Sequence, residues 1–176
     1  GIAHWDDYFR ENVDASESKE ALFEELGLNQ CRPMIYYGTS SPKANPDTFE
    51  IIAELGEAIE RGHFEARPQL LVRLHPSYLW TTGADNVTHY DLFKDQIHYL
   101  SQKHLGDLIF DAPRMPRIPG GIDMPKEDLI RHKNILKHAD ILLTEYSTLM
   151  IEAAIFDVPV INVGYGNFRD TKNPIS

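Results

Sequence analysis

Four short stretches of this 176-residue chain gather groups that can hold a phosphate: Gly38-Thr39-Ser40, His75-Pro76, Arg114 with Arg117, and Glu145-Tyr146-Ser147-Thr148. Ser147 and Thr148 stand where a helix is predicted to begin directly behind an apolar run. Free backbone N–H groups and the positive end of the helix dipole converge at such a place, and hydroxyls add donors. The same two residues also make an ordinary N-cap. Glu152, one turn on from Thr148, shares its face and can accept a ribose hydroxyl, or simply sit in solvent. His75 closes an apolar run; there it can donate to a phosphate oxygen and, when protonated, stabilise a phosphate leaving group. A lone histidine at a strand end is otherwise a hydrogen-bonded structural group. Pro76 fixes the turn that aims it. Gly38 with Thr39 and Ser40 allows a backbone to approach a ligand closely, or makes a tight turn. The two arginines, in a Pro- and Gly-rich stretch, clamp a phosphate or remain solvated.

Composition narrows what these groups serve. Lys and Arg total 17 against 27 Asp and Glu, a formal net charge of -10, which repels a nucleic-acid backbone but permits a local pocket for one nucleotide. The single cysteine, Cys31, excludes an internal disulfide and a Cys-rich zinc site. No GxGxxG, GxxxxGK[ST], HExxH or GxSxG pattern occurs, and the first strand ends without the acidic cluster of a receiver domain. His132 and His138 are six apart on a predicted helix, the wrong spacing for a shared metal, so neither a metal nor an organic cofactor is expected. No apolar run reaches the roughly 20 residues of a membrane span, and the N-terminal residues lack the pattern of a signal peptide, so a cytoplasmic location is expected. Asn86-Val87-Thr88 fits the glycosylation sequon and is read as chance.

The elements that must position these groups alternate. Short apolar runs over 34–37, 70–74, 107–110, 141–143 and 159–162 read as strands. Between and before them lie helical patterns over 17–26, from an Asn45 N-cap with Pro46 in the first turn to Gly62, over 91–103, from Pro125 to about 139, and over 147–156. Residues 77–90 read as irregular. Strands that are apolar without strict alternation, separated by helices, predict a parallel sheet covered on both faces. Right-handed crossovers then give a doubly wound, Rossmann-like α/β domain whose ligand lies beyond the carboxyl ends of the strands. Residues 1–12 read as an entering linker and 13–176 as the nucleotide-binding domain; the ends read as those of a piece of a longer protein.

The run Ala139-Asp140-Ile141-Leu142-Leu143-Thr144-Glu145-Tyr146-Ser147-Thr148, continuing through Glu152-Ala153-Ala154 to Pro159-Val160-Ile161, resembles a segment of the CDP-glycerol glycerophosphotransferases, which make teichoic acid-type polymers. It is similar also to bacterial capsule-polymer transferases, polysialyltransferases among them, and more distantly to nucleotide-sugar 2-epimerases. In these transferases an HP motif and a serine motif bind the nucleotide of a CDP- or CMP-linked donor; the matching residues here are His75-Pro76 and Ser147-Thr148. Glu145 stands where an aspartate is usual, Thr148 where a second serine is usual, and the proline often found before the HP motif is missing. The resemblance implies a GT-B fold of two Rossmann-like domains, of which this chain is the C-terminal, donor-binding one and Gly1–Asp6 belongs to the interdomain linker. It implies a CDP-, CMP- or UDP-linked donor, Ser147 and Thr148 on its phosphates, and His75 on the leaving nucleotide. The remaining donor-site residues are Gly38, Thr39, Ser40, Pro76, Arg114, Glu145 and Glu152. The general base would come from the N-terminal domain, and the full-length protein would work in the cytoplasm or peripherally at the inner face of the membrane. The alternatives are an epimerase of the same fold and a non-catalytic domain that binds a nucleotide or a partner.

Overall fold

In a computed structural model, which describes residues 18–82, 86–113 and 125–164, strands and helices alternate along the chain. Helix α1 (Lys19–Leu26) is capped by the Ser18 hydroxyl, which accepts from Ala21 N at 3.2 Å, and it stops at Gly27 in the left-handed region at φ 71. Strand β1 (Met34–Gly38) is buried along its whole length. There follow α2 (Thr48–Glu60), β2 (Gln69–Arg73), a 3-10 turn at Pro76–Leu79, the two-residue strands β3 (Thr81–Thr82) and β4 (Val87–Thr88), and α3 (His89–Lys103). The chain then forms β5 (Leu108–Asp111), α4 (Lys126–His138), β6 (Ile141–Thr144), α5 (Leu149–Ile155) and β7 (Val160–Asn162).

Five strands make one sheet in the order β5-β2-β1-β6-β7, and every neighbouring pair is parallel. This is the doubly wound, Rossmann-like arrangement that the alternating pattern predicts. From β1 the chain winds outward through β2 to β5, then returns to the other side of β1 as β6 and β7. The order reverses between β1 and β6, where Gly38 stands opposite Thr144. A crevice at such a switch point opens beyond the carboxyl ends of those two strands.

Because helices cover both faces, β1 has no polar side to show. Met34 and Tyr36 join Leu22, Phe23, Ile135 and Ala153 under α1, α4 and α5. Ile35 and Tyr37 join Phe49, Ile52, Ile97 and Leu100 under α2 and α3. In that second layer Phe49 stacks on Phe93 at 4.9 Å between ring centroids and meets Tyr78 edge-on at 6.2 Å.

Two local expectations are corrected. Asn45 does not cap α2: its Oδ1 accepts from Asp47 N at 3.0 Å, closing an Asx turn, and the helix begins at Thr48. Residues 77–90 are not wholly irregular, since they include the 3-10 turn, the β3–β4 pairing and the first two residues of α3. A capping box sets that helix start, with Thr88 and Asp91 each bonding the other's backbone N–H.

A cluster of charged side chains lies inside the fold. Arg73 at the end of β2 is 5% exposed and pairs with Asp111 of β5 and, at 2.6 Å, with Asp128 of α4, which is fully buried. Arg131 reaches Asp111 at 3.0 Å and Glu25 of α1 at 2.7 Å. Charged partners thus tie α1 and α4 to the sheet where an apolar contact would otherwise do so.

Candidate functional site

The exits of β1, β2 and β6 lie side by side at the carboxyl edge, because the register sets Gly38 against both Arg73 and Thr144. Side-chain hydrogen bonds join them. His75 N donates to Thr39 Oγ1 at 3.0 Å, linking the exits of β2 and β1. Thr144 Oγ1 donates to the Gly38 carbonyl at 2.9 Å, and Ser40 Oγ to the Glu145 carbonyl at 3.0 Å, linking β1 to β6. His75 and Ser147, 72 positions apart in sequence (147 minus 75), therefore both follow strands that end on one edge of the sheet.

His75 caps the 3-10 turn that Pro76 opens, its Nδ1 accepting from Ser77 N at 3.1 Å with Ser77 Oγ at 2.7 Å. A nitrogen that accepts from a backbone N–H carries no proton, so the neutral ring holds its hydrogen on Nε2. Burial also lowers the tendency of this imidazole to protonate. Both effects favour the neutral ring with its N–H on Nε2 over the protonated form.

Glu145 is 1% exposed and is the most perturbed acid of the crevice. Its Oε1 accepts from the Tyr37 hydroxyl and from Thr48 Oγ1 at 3.4 Å, and its Oε2 from Ser40 N at 3.4 Å. Burial raises the carboxyl to about 7, opposed by the Ser40 N–H. Next to it, Tyr146 adopts φ 44, an uncommon conformation for a residue with a side chain, and its half-exposed ring lies so close to Gly164 that a Cβ there would come within 2.6 Å.

The other sequence-predicted residues divide. A Cβ at Gly38 would meet a terminal methyl of Leu149, which would have to move aside. What approaches this glycine closely is thus the first residue of α5. Thr39 is buried with its hydroxyl accepting from His75. Ser147 Oγ accepts from Leu149 N at 3.2 Å, so the serine makes the cap-like bond, whereas Thr148 at the N-cap position makes none through its side chain. Glu152 is 8% exposed, and its Oε2 lies 3.3 Å from His132 Nε2, whose Nδ1 is 3.0 Å from the Tyr36 hydroxyl. That interior chain joins α5, α4 and β1, a structural role the sequence reading did not assign to Glu152. Arg114, Arg117 and the linker residues 1–12 lie outside the described residues.

Sequence reasoning missed Tyr37 and Thr48, the two hydroxyls on Glu145, and the buried Arg73 network. An arginine and two tyrosines inside apolar strands were the available signal, and it does not name their partners.

No family model matches the chain, and no curated protein matches it in sequence. Solved structures do match in shape. The ADP-heptose lipopolysaccharide heptosyltransferase II of E. coli aligns at TM-score 0.53 and 15% identity, over 83% of this chain and 38% of that one. The wall teichoic acid polymerase TagF aligns at TM-score 0.52 and 16% identity, over 95% of this chain and 33% of that one. A TagF variant, H444N with CDPG, aligns at 0.51 and 13% identity, over 96% and 32%. This chain thus spans about a third of the length of these structures. At such identities the likeness carries the fold alone: a Rossmann-like α/β unit of the kind found in GT-B glycosyltransferases.

Proposed function

We propose that the chain is the donor-binding half of a GT-B transferase and takes a CDP-, CMP- or UDP-linked donor in the synthesis of a cell-surface polymer. The observation that carries this reading is the convergence of the β1, β2 and β6 exits at the switch point of the sheet. In this reading the His75 imidazole and the hydroxyls of Ser147 and Thr148, which follow those exits, face the donor together. Support for the donor class comes from the residue pattern shared with CDP-glycerol transferases and from the TagF structure solved with CDPG.

In this reading Ser147 and Thr148 meet the phosphates, and Nε2–H of His75 hydrogen-bonds the phosphate oxygen that gains charge as the nucleotide leaves. A neutral donor suffices there: removing one preorganised donor of this kind typically costs about 10²–10³ in rate. The acceptor is deprotonated by the other half of the enzyme, which this chain does not contain.

Calorimetric titration of the chain with CMP, CDP, UDP and GDP tests the reading. Weak binding of a pyrimidine nucleotide is expected, since the contacts of the second domain are missing. No binding at millimolar concentration, together with binding of an adenine dinucleotide, would remove the basis for it.

A further inference from the structure

We propose that Glu145 is a proton-dependent latch that positions the β1–α2 loop, residues 39–47, against the exit of β6. The inference goes beyond the nucleotide reading and stands without it.

Three neutral donors from one continuous stretch of chain converge on this carboxyl: Tyr37 from β1, the Ser40 backbone from the loop and Thr48 from the start of α2. The Ser40 hydroxyl adds a fourth tie, to the Glu145 carbonyl. Both ends of the loop are therefore anchored on a single residue of the opposite strand exit. Among the described groups that bond the carboxyl, Tyr37 is the one titratable side chain and none is cationic.

An ionised carboxyl buried without a cation is unfavourable, whereas the protonated acid is not. The protonated form also has acceptors at hand, since a tyrosine or threonine hydroxyl accepts as well as donates. Opening the loop would return Glu145 to water and to its ordinary acidity. The closed loop therefore holds the proton more tightly than the open one, and linkage makes closure weaken as pH rises from the ordinary carboxyl range to about 7.

A second observation in the same loop points the same way. Asn45 is 1% exposed, and its Nδ2 is buried with no hydrogen-bond partner among the described residues, while Thr48 Oγ1 lies within reach of both the Asn45 carbonyl and Glu145. Closure leaves this donor unsatisfied and opening hydrates it, so the closed state is held against a standing cost. Loss of the Glu145 proton then has a poised element to act on. The loop carries Thr39 and Ser40 of the crevice, so the latch sets the shape of that wall.

Hydrogen exchange of the chain between about pH 5.5 and 8.5, expressed as protection factors, tests this without any ligand. Loop amides, Ser40 and Ala44 among them, should lose protection as pH rises to about 7, by at most tenfold per pH unit for a single proton, and level off above it. Leu71 and Val72 in β2 should not follow them. In Glu145→Gln, which cannot ionise, loop protection should stay constant over the range. Tyr37→Phe and Thr48→Val each remove a hydroxyl that bonds the carboxyl, so each should displace the midpoint of the transition. Loop protection that is flat with pH in the unmodified chain would overturn the latch. So would a fall in Glu145→Gln that parallels it, or, should that variant not fold, an unmoved midpoint in both hydroxyl variants.

Discussion

Deleting one charge from the buried cluster should cost far more than deleting a matched pair. Arg73 and Asp128 are 5% and 0% exposed and meet at 2.6 Å. In Asp128→Ala the guanidinium keeps Asp111, but Asp111 also serves Arg131. Two buried cations would then share one buried carboxylate, with Glu25 as the more exposed remaining partner at 38% side-chain exposure. Breaking a buried pair on one side typically costs 3–5 kcal/mol, because an uncompensated charge remains inside. With a total stability of roughly 5–15 kcal/mol, such a loss removes a third or more of it. In Arg73→Met/Asp128→Leu both charges leave and apolar volume replaces them, a change that is commonly neutral or mildly stabilising; Asp111 and Arg131 then still pair with each other. The double variant should therefore be more stable than Asp128→Ala by about 2 kcal/mol or more. Urea unfolding followed by circular dichroism measures each stability. A double variant as unstable as the single one would refute the reasoning, since the loss would then be one of packing rather than of charge.

Three further outcomes follow from the geometry. Gly56→Ala should destabilise the chain by about 1–3 kcal/mol, because the new Cβ would lie 2.8–2.9 Å from the His104 ring, which is 1% exposed; thermal denaturation reads this directly. The Glu145 carboxyl is raised in the fold from an ordinary 4.5 to about 7, so its contribution to stability is complete below about pH 4.5 and is lost as pH rises to about 7. Urea midpoints of the unmodified chain should accordingly decline relative to those of Glu145→Gln across that window, and parallel profiles would contradict the burial argument. In the full-length enzyme, His75→Ala should lower turnover about 10²–10³-fold, while Ser77→Ala, which removes one of two partners of Nδ1, should have the smaller effect; steady-state kinetics of the two variants check this.

Strand and helix order was legible because it rests on local pattern. Buried apolar runs near 34–38, 69–73 and 141–144, separated by helical periodicity, leave a parallel sheet with both faces covered as the consistent arrangement. That order also places His75 and Ser147 after strands that end on one edge of the sheet. Ends of elements were less legible where a side chain competes for the backbone. Asn45 forms an Asx turn instead of a cap, and the Thr88–Asp91 box starts α3 two residues before the apolar pattern does.

What the tertiary structure alone decided is which polar groups meet. Tyr37 and Glu145 are 108 residues apart, Arg73 and Asp128 are 55 apart, and His132 and Glu152 sit on different helices. Their types were visible, but a hydroxyl or carboxylate in sequence does not reveal whether it faces water or a buried partner. For Glu145 that difference is between an ordinary surface acid and one whose burial pushes its carboxyl up to about 7. Apolar periodicity sets the frame because burial depends on one residue at a time, whereas the charge state and direction of a polar group depend on neighbours that only the folded chain brings to it.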